Sequence, residues 1–328
     1  MTRFGDFEPL CHQVPSYPWC NLFYRQASPT LQILSCPPNP LSQLQHNNDS
    51  AVLTGPSANP STAPVGINPE CGIPPVGQNG SLANIANIIA CALSMILVLL
   101  LVIWTTRRRA AVGRVEFRLF LALYFLTLPF QLLSTGAFLT QGSTALTVIT
   151  AIHAGLVAAT FWSLLGNAIV STQVVEDGTL SSVIPFDFFI LAFFVATTYI
   201  SLDVGFSFTS VFGPSNPPQS LHSIPLFVLT SIWPGAAAVL YFLIMTYVVL
   251  GMLNEVRPMW YFVLAAVLFV LSQLDFFLLS KVICNVRIHP IDGTFVATIL
   301  ETAAVTVLYF AWRSITEESW EDDMYYPR

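Results

Sequence analysis

Two intramembrane carboxylates, a set of cysteines and a run of acids are the groups in this chain whose types and spacing could do chemistry. Asp275 and Glu301 fall inside long apolar stretches, where a carboxylate costs about 2.5–3.5 kcal/mol even on insertion scales. Asp275 stands six residues before Lys281 and Glu301 seven after Thr294, which places each about 9–10 Å in from one boundary at helical rise. On neighbouring helices the two acids would share a level, and like carboxylates so placed can share one proton. That is the chemistry of a proton or cation site. The alternative is that each faces a polar cleft and is hydrogen-bonded there.

Cys11, Cys20, Cys36 and Cys71 all precede residue 80. In an oxidising compartment they read as a disulfide set, with three pairings open. Cys91 lies in an apolar run as a small packing residue, and Cys284 lies in a polar loop. His12, His46, His153, His222 and His289 are scattered, without metal-ligand spacing. No His-Glu-x-x-His, Gly-x-Ser-x-Gly, phosphate-binding glycine loop or Cys-x-x-Cys occurs. Neither an enzyme nor a metal or cofactor site is expected.

The elements that must position these groups follow from charge. Of 328 residues only 9% are charged, 54% are hydrophobic and 25 are Phe. A soluble fold carries about 25% charge, and with 9% it could not cover its surface. The net charge of −6 and the lack of a basic stripe exclude nucleic acid as a partner. The bilayer is the solvent of this chain.

Apolar runs long enough to cross about 30 Å of hydrocarbon begin after residue 80. Seven are expected: Leu82–Trp104, Phe117–Phe138, Leu146–Val170, Pro185–Leu202, Ile224–Leu250, Met259–Leu279 and Thr294–Trp312. The fold class is therefore all-α, a polytopic bundle of seven transmembrane helices. The fourth is the weakest, with Asp187 near its start and Asp203 past its end. Arg107, Arg108, Arg109, Arg114 and Arg118 put the first loop in the cytosol. The N-terminus is then lumenal and the C-terminus cytosolic.

Three regions result: a lumenal Cys/Pro-rich tail over 1–80, partly disordered; the bundle over 81–312; and an acidic cytosolic tail over 313–328. The first holds 13 of the 23 prolines and no apolar h-region at its start. Asn48-Asp49-Ser50 and Asn79-Gly80-Ser81 are glycosylation sequons.

Gly155, Ala159, Ser163 and Asn167 recur every four residues and line one helix face, as do Ala86, Ala90 and Ser94. Such stripes let helices approach closely. They pack the bundle or, facing outward, dock a partner helix. Glu317, Glu318, Glu321, Asp322 and Asp323 make a dense acidic run, of which Glu321, Asp322 and Asp323 are a candidate export signal for vesicle coat machinery. The bland reading is a solvated tail. Glu176-Asp177-Gly178-Thr179 is either a contact loop or a tight turn.

Taken in order, several strings resemble the fungal chitin synthase export chaperones. "FGDFEPLCHQVPSYPWC" (Phe4–Cys20) is similar to that family's opening, and "AVGRVEF" (Ala111–Phe117) to its first cytosolic loop. "WSLLGNAIVSTQVVEDGT" (Trp162–Thr179) resembles its third helix and following loop. "FVLSQLDFFLLSKVIC" with "HPIDG" (His289–Gly293) and "WRSITEESWEDD" complete the series. The chain departs from the pattern at Ala168, Ser171 and Ser272, where glycines are expected. It departs again at Glu301, near which an asparagine is expected, and at Arg313, where an Asp is expected. The resemblance implies a non-catalytic helper in the endoplasmic reticulum membrane that lets a chitin synthase leave for the cell surface and so supports cell-wall chitin. A seven-span receptor and a small proton-coupled transporter are the alternatives. The receptor lacks an Asp-Arg-Tyr-like element after the third span. The transporter rests only on Asp275 and Glu301, since no inverted repeat is visible.

Overall fold

The computed structural model describes residues 3–14, 16–27, 76–77, 82–107, 113–174, 178–215, 221–280, 282 and 293–321. Cys36, Cys71, Cys284, Glu176, Asp177, Arg108, Arg109, both sequons, Asp322 and Asp323 lie outside these residues.

Two short helices, α1 (Glu8–Gln13) and α2 (Cys20–Ala27), precede seven long ones. These are α3 (Ile85–Arg107), α4 (Arg114–Thr135), α5 (Thr144–Ser171), α6 (Leu180–Phe206), α7 (Ile224–Met252), α8 (Arg257–Leu279) and α9 (Thr294–Glu321). Among the described residues there is no strand, only a lone bridge between Asp6 and His222. Helix is the outcome physics requires of such sequences, because a backbone in hydrocarbon must satisfy its own polar groups. All seven long helices are apolar enough to cross a membrane.

The fourth span is longer than its acids suggest. Asp203 is fully buried at the last turn of α6, where its carboxylate accepts from the Thr209 backbone N–H at 2.7 Å and from the Thr209 hydroxyl. The acid thus folds the chain back at the end of the helix instead of breaking it. In α7 a π-helical turn, Val228–Ile232, precedes Pro234. Proline has no N–H to give its i−4 carbonyl, and a π-bulge accommodates that loss within one helix. Helix α9 does not end at Trp312 but runs on to Glu321, so the acidic tail begins as helix.

α5 is the central helix, with 67% of its apolar stretch buried, whereas α6 on its flank has 11%. α5 packs along α4, α6 and α7; α9 packs along α3 and α8. A ring stack joins the first group: Phe193 to Trp233 at 4.4 Å and Trp162 to Phe193 at 5.6 Å. The two indoles donate to backbone carbonyls, Trp162 to Phe186 at 3.3 Å and Trp233 to Ala158 at 3.1 Å.

The start of the chain is not a detached tail. Phe7, Cys11, Val14, Tyr17, Trp19, Cys20, Leu22 and Phe23 are buried in one cluster with Ala151, Ala154, Val204, Leu221 and Leu226. This plug covers the end of the bundle where α5 and α7 begin. Gly5 takes φ +92°, a region that costs a residue with a Cβ. That turn lets its carbonyl accept from the Ser223 N–H at 3.1 Å while Phe7 N–H donates to Leu221 at 3.1 Å. Asp6 meets the His222 ring at 2.8 Å. The first residues of the 1–80 region thus pack onto the bundle, where aromatic burial holds α1 and α2 in place.

Candidate functional site

The cysteine set resolves in part. Cys11 on α1 and Cys20 on α2 form a disulfide with Cα atoms 5.7 Å apart. Closing a loop of this size stabilises by about 2–3 kcal/mol in the chain-entropy view, and it clamps the two helices of the plug. Beside it Tyr17 reaches Ser231 at 3.4 Å, and burial pushes its phenol up to about 12. Arg25 on α2 donates to the Gly142 carbonyl at 3.1 Å and the Thr144 hydroxyl at 3.2 Å, with its guanidinium 4.8 Å from the Phe206 ring centre.

The stripe Gly155, Ala159, Ser163, Asn167 faces inward. All four are buried, and a Cβ on Gly155 would run into the Thr198 hydroxyl and the Phe194 carbonyl of α6. These residues are used in packing α5 against its neighbours, so they do not form the outward client face considered from the sequence. Ala90 and Ser94 of the first stripe are buried likewise.

Small residues do reach the outside elsewhere. Ala192 and Ala196 lie exposed one turn apart on α6, and Gly235 and Ala236 lie exposed on α7. A Cβ at Gly235 would meet nothing within 4 Å. The two helices touch through the rings of Phe193 and Trp233. Nearer the start of α6, and on a different side of it, Asp187 is exposed among Phe188, Phe189 and Leu191. A carboxylate on such a face is costly in lipid and favours a polar or cationic partner.

Glu301 has a hydrogen-bond partner other than Asp275. Their helices α8 and α9 are neighbours, yet Glu301 accepts from Gln273 Nε2 at 3.1 Å. Among the described residues no hydrogen bond joins the two carboxyls. Asp275, only 4% exposed, opens the π-helical last turn of α8, with its backbone carbonyl near Gly293. At Glu301 the geometry is that of the hydrogen-bonded alternative, with Gln273 on the facing helix presenting an amide donor.

Glu301 borders a polar seam missed in the sequence. Thr294, Thr298, Thr302 and Thr306 recur every fourth residue along α9. Asn84 donates to Thr294 at 3.4 Å, Gln131 to Thr298 at 2.8 Å, and Thr302 to Ser94 at 2.9 Å. Tyr124 and Thr302 share a bond of 3.0 Å, and Asn87 on α3 both donates to Thr135 at 2.8 Å and accepts from Thr298 at 3.2 Å. The seam sews α3, α4 and α9 together. Its signal was the threonine repeat, which hydropathy alone hides.

Glu116 was also missed. It is 1% exposed and accepts from Gly178 N–H at 3.1 Å and Ser182 Oγ at 2.9 Å. It thereby ties the loop after α5 to the start of α4, at the end of the bundle opposite the plug. Glu321 is the last residue of α9. Among the described residues no three His, Cys, Asp or Glu converge on a metal-sized point.

Comparison with known proteins places these features. The model of the chitin synthase export chaperone family matches residues 3–325. Proteins named chitin synthase export chaperone are similar along most of the chain. The one from Gibberella zeae is 26% identical over 326 residues, covering 98% of this chain and 84% of the relative. That from Coccidioides immitis is 29% identical over 266 residues, 78% of this chain and 76% of its own. That from Phaeosphaeria nodorum is 30% identical over 243 residues, 74% and 71%. No solved structure matches.

Proposed function

The chain belongs to the chitin synthase export chaperone family, and from that premise we propose that it works in the endoplasmic reticulum membrane, sheltering membrane helices of a chitin synthase through the outward face of α6 and α7 until the client can leave. The family name implies a non-catalytic role, and the seven apolar helices make the chain a multi-pass membrane protein. The observation that carries the contact surface is Gly235. A glycine in a helix costs about 1 kcal/mol relative to alanine, and among the described residues nothing comes within 4 Å of the Cβ it lacks. Together with Ala192 and Ala196 it offers the close backbone approach by which helices associate in lipid.

Orientation is supported from both ends. The Cys11–Cys20 disulfide lies in the plug at one end, as suits an oxidising lumen. Arg107, Arg114 and Arg118 flank the loop at the other, as suits the cytosol. The acids Glu321, Asp322 and Asp323 then fall on the cytosolic side, where a vesicle coat can engage them.

The test is genetic. Deleting the gene in its own host is expected to retain a fluorescent chitin synthase in the endoplasmic reticulum. Re-expressing the chain restores export. A variant with Ala192→Leu, Ala196→Leu and Gly235→Leu restores the protein but not export, and one with the three terminal acids neutralised restores export only slowly. Normal client trafficking after deletion overturns the proposal.

A further inference from the structure

The end of the bundle opposite the plug carries a feature that client shelter does not use. Trp104 and Arg107 on α3 face Tyr309, Phe310 and Arg313 on α9 across a cleft of about 340 Å³. These are the first and last of the seven spans, so they run in the same direction through the membrane. On each, an aromatic ring is followed by a cation one turn on: Trp104 by Arg107 three residues later, Tyr309 by Arg313 four later. Because the helices are parallel neighbours, the two rings come level, 6.3 Å between centroids. The two arginines follow about 5 Å further along their helices, and both line the cleft.

The cleft has a built floor. Tyr309 packs on Trp312 at 6.1 Å, and Trp312 stacks on Phe117 of α4 at 5.2 Å and 8°. Its mouth is open to the bilayer, with Trp104 45% exposed and Phe310 39% exposed. Rings at the depth of the interface and cations just beyond them match the layering of a phospholipid, acyl chain first and phosphate next. Guanidinium forks are the side chains best suited to bidentate contact with phosphate oxygens.

We propose that this cleft binds a phosphate group, that of an anionic phospholipid seated between the first and last spans. The lipid bridges α3 and α9 at the rim, beyond the last bond of the threonine seam. It would couple the closure of the helix ring to the lipid of the surrounding membrane.

The experiment uses the full chain in lipid nanodiscs. Bromine on acyl chains quenches a tryptophan it touches, and the signal of Trp104 is isolated by subtracting that of a Trp104→Phe chain. Brominated phosphatidylserine is expected to quench Trp104 at a bulk fraction on the order of ten-fold lower than brominated phosphatidylcholine. The double variant R107Q/R313Q should lose that preference, while R107K/R313K should retain most of it. Thermal melting of both variants checks that the bundle is intact, and the lysine pair keeps the question answerable if the glutamine pair fails to fold. Equal quenching by the two lipids overturns the site. Relief of the quenching by added inorganic phosphate overturns the lipid assignment and makes a soluble phosphate the ligand.

Discussion

Gly155 and Gly235 are both glycines on apolar helices of one bundle, and their surroundings are opposite. A Cβ on Gly155 would strike the Thr198 hydroxyl and the Phe194 backbone, whereas one on Gly235 would touch nothing within 4 Å. The first is a glycine because α5 and α6 lie too close for anything else. The second faces open space among the described residues. In lipid, where apolar side chains gain nothing by leaving one hydrocarbon for another, close backbone contact is the main source of helix affinity. Small residues therefore mark contacts, and which contact is decided by the direction in which they point. The inward set builds the bundle; the outward set on α6 and α7 is the surface proposed for the client.

The sharpest way to break this comparison is to put the same bulk at both places. Gly155→Leu drives a side chain into backbone that cannot move aside, and overpacking of that kind costs on the order of 3 kcal/mol. We expect the purified chain to melt well below the parent in detergent, and the loss of export to follow from loss of the folded protein. A Gly155→Leu chain that melts like the parent would remove the inward half of the contrast.

The contrast was only half legible before the fold was known. Seven spans could be read from composition, since 9% charge leaves the backbone no solvent but lipid, and even the doubtful fourth follows once Asp203 is seen to cap its end. The four-residue spacing of Gly155, Ala159, Ser163 and Asn167 puts them on one helix face. It could not give the direction of that face, because a helix in hydrocarbon carries no polar side to point at water. Small residues serve close packing on either face, so their spacing alone does not tell inward from outward. The plug was hidden for a different reason: prolines at 9, 15 and 18 disguise two short helices whose burial depends on partners more than 100 residues away. Asp275 and Glu301 were found by cost alone, and cost says that a carboxylate needs a partner without saying which. Gln273, two residues from Asp275, became that partner for Glu301.

A middle-sized effect separates packing from polar sewing within the inward set. Asn87 and Thr298 bond each other at 3.2 Å while each also bonds α4. Intramembrane bonds average about 0.6 kcal/mol and reach about 1.7. Thr298→Val or Asn87→Ala should each lower stability by about 1 kcal/mol, and the double variant should lose less than the sum because the two share one bond. Additive losses in thermal melting would mean that the seam is a row of separate contacts. Thr298→Ser, which keeps the hydroxyl, should stay near the parent.

The smallest change in stability belongs to the outward glycine, and it carries the most meaning. Gly235→Leu replaces a poor helix former with a good one in open space. The melt should therefore stay within about 0.5 kcal/mol of the parent or rise slightly. Client capture should fall, because a leucine there holds a docking helix away from the α7 backbone. Co-purification of the chitin synthase measures that directly, beside the melt of the same preparation. The informative result is the dissociation of the two readouts: a protein at least as stable as the parent that no longer holds its client. If capture survives in a chain that melts normally, Gly235 is a lipid-facing residue and the docking surface must be sought on another face. A loss of stability at Gly235 equal to that at Gly155 would mean that both glycines serve the bundle, and the distinction between inward and outward small residues would have no functional content.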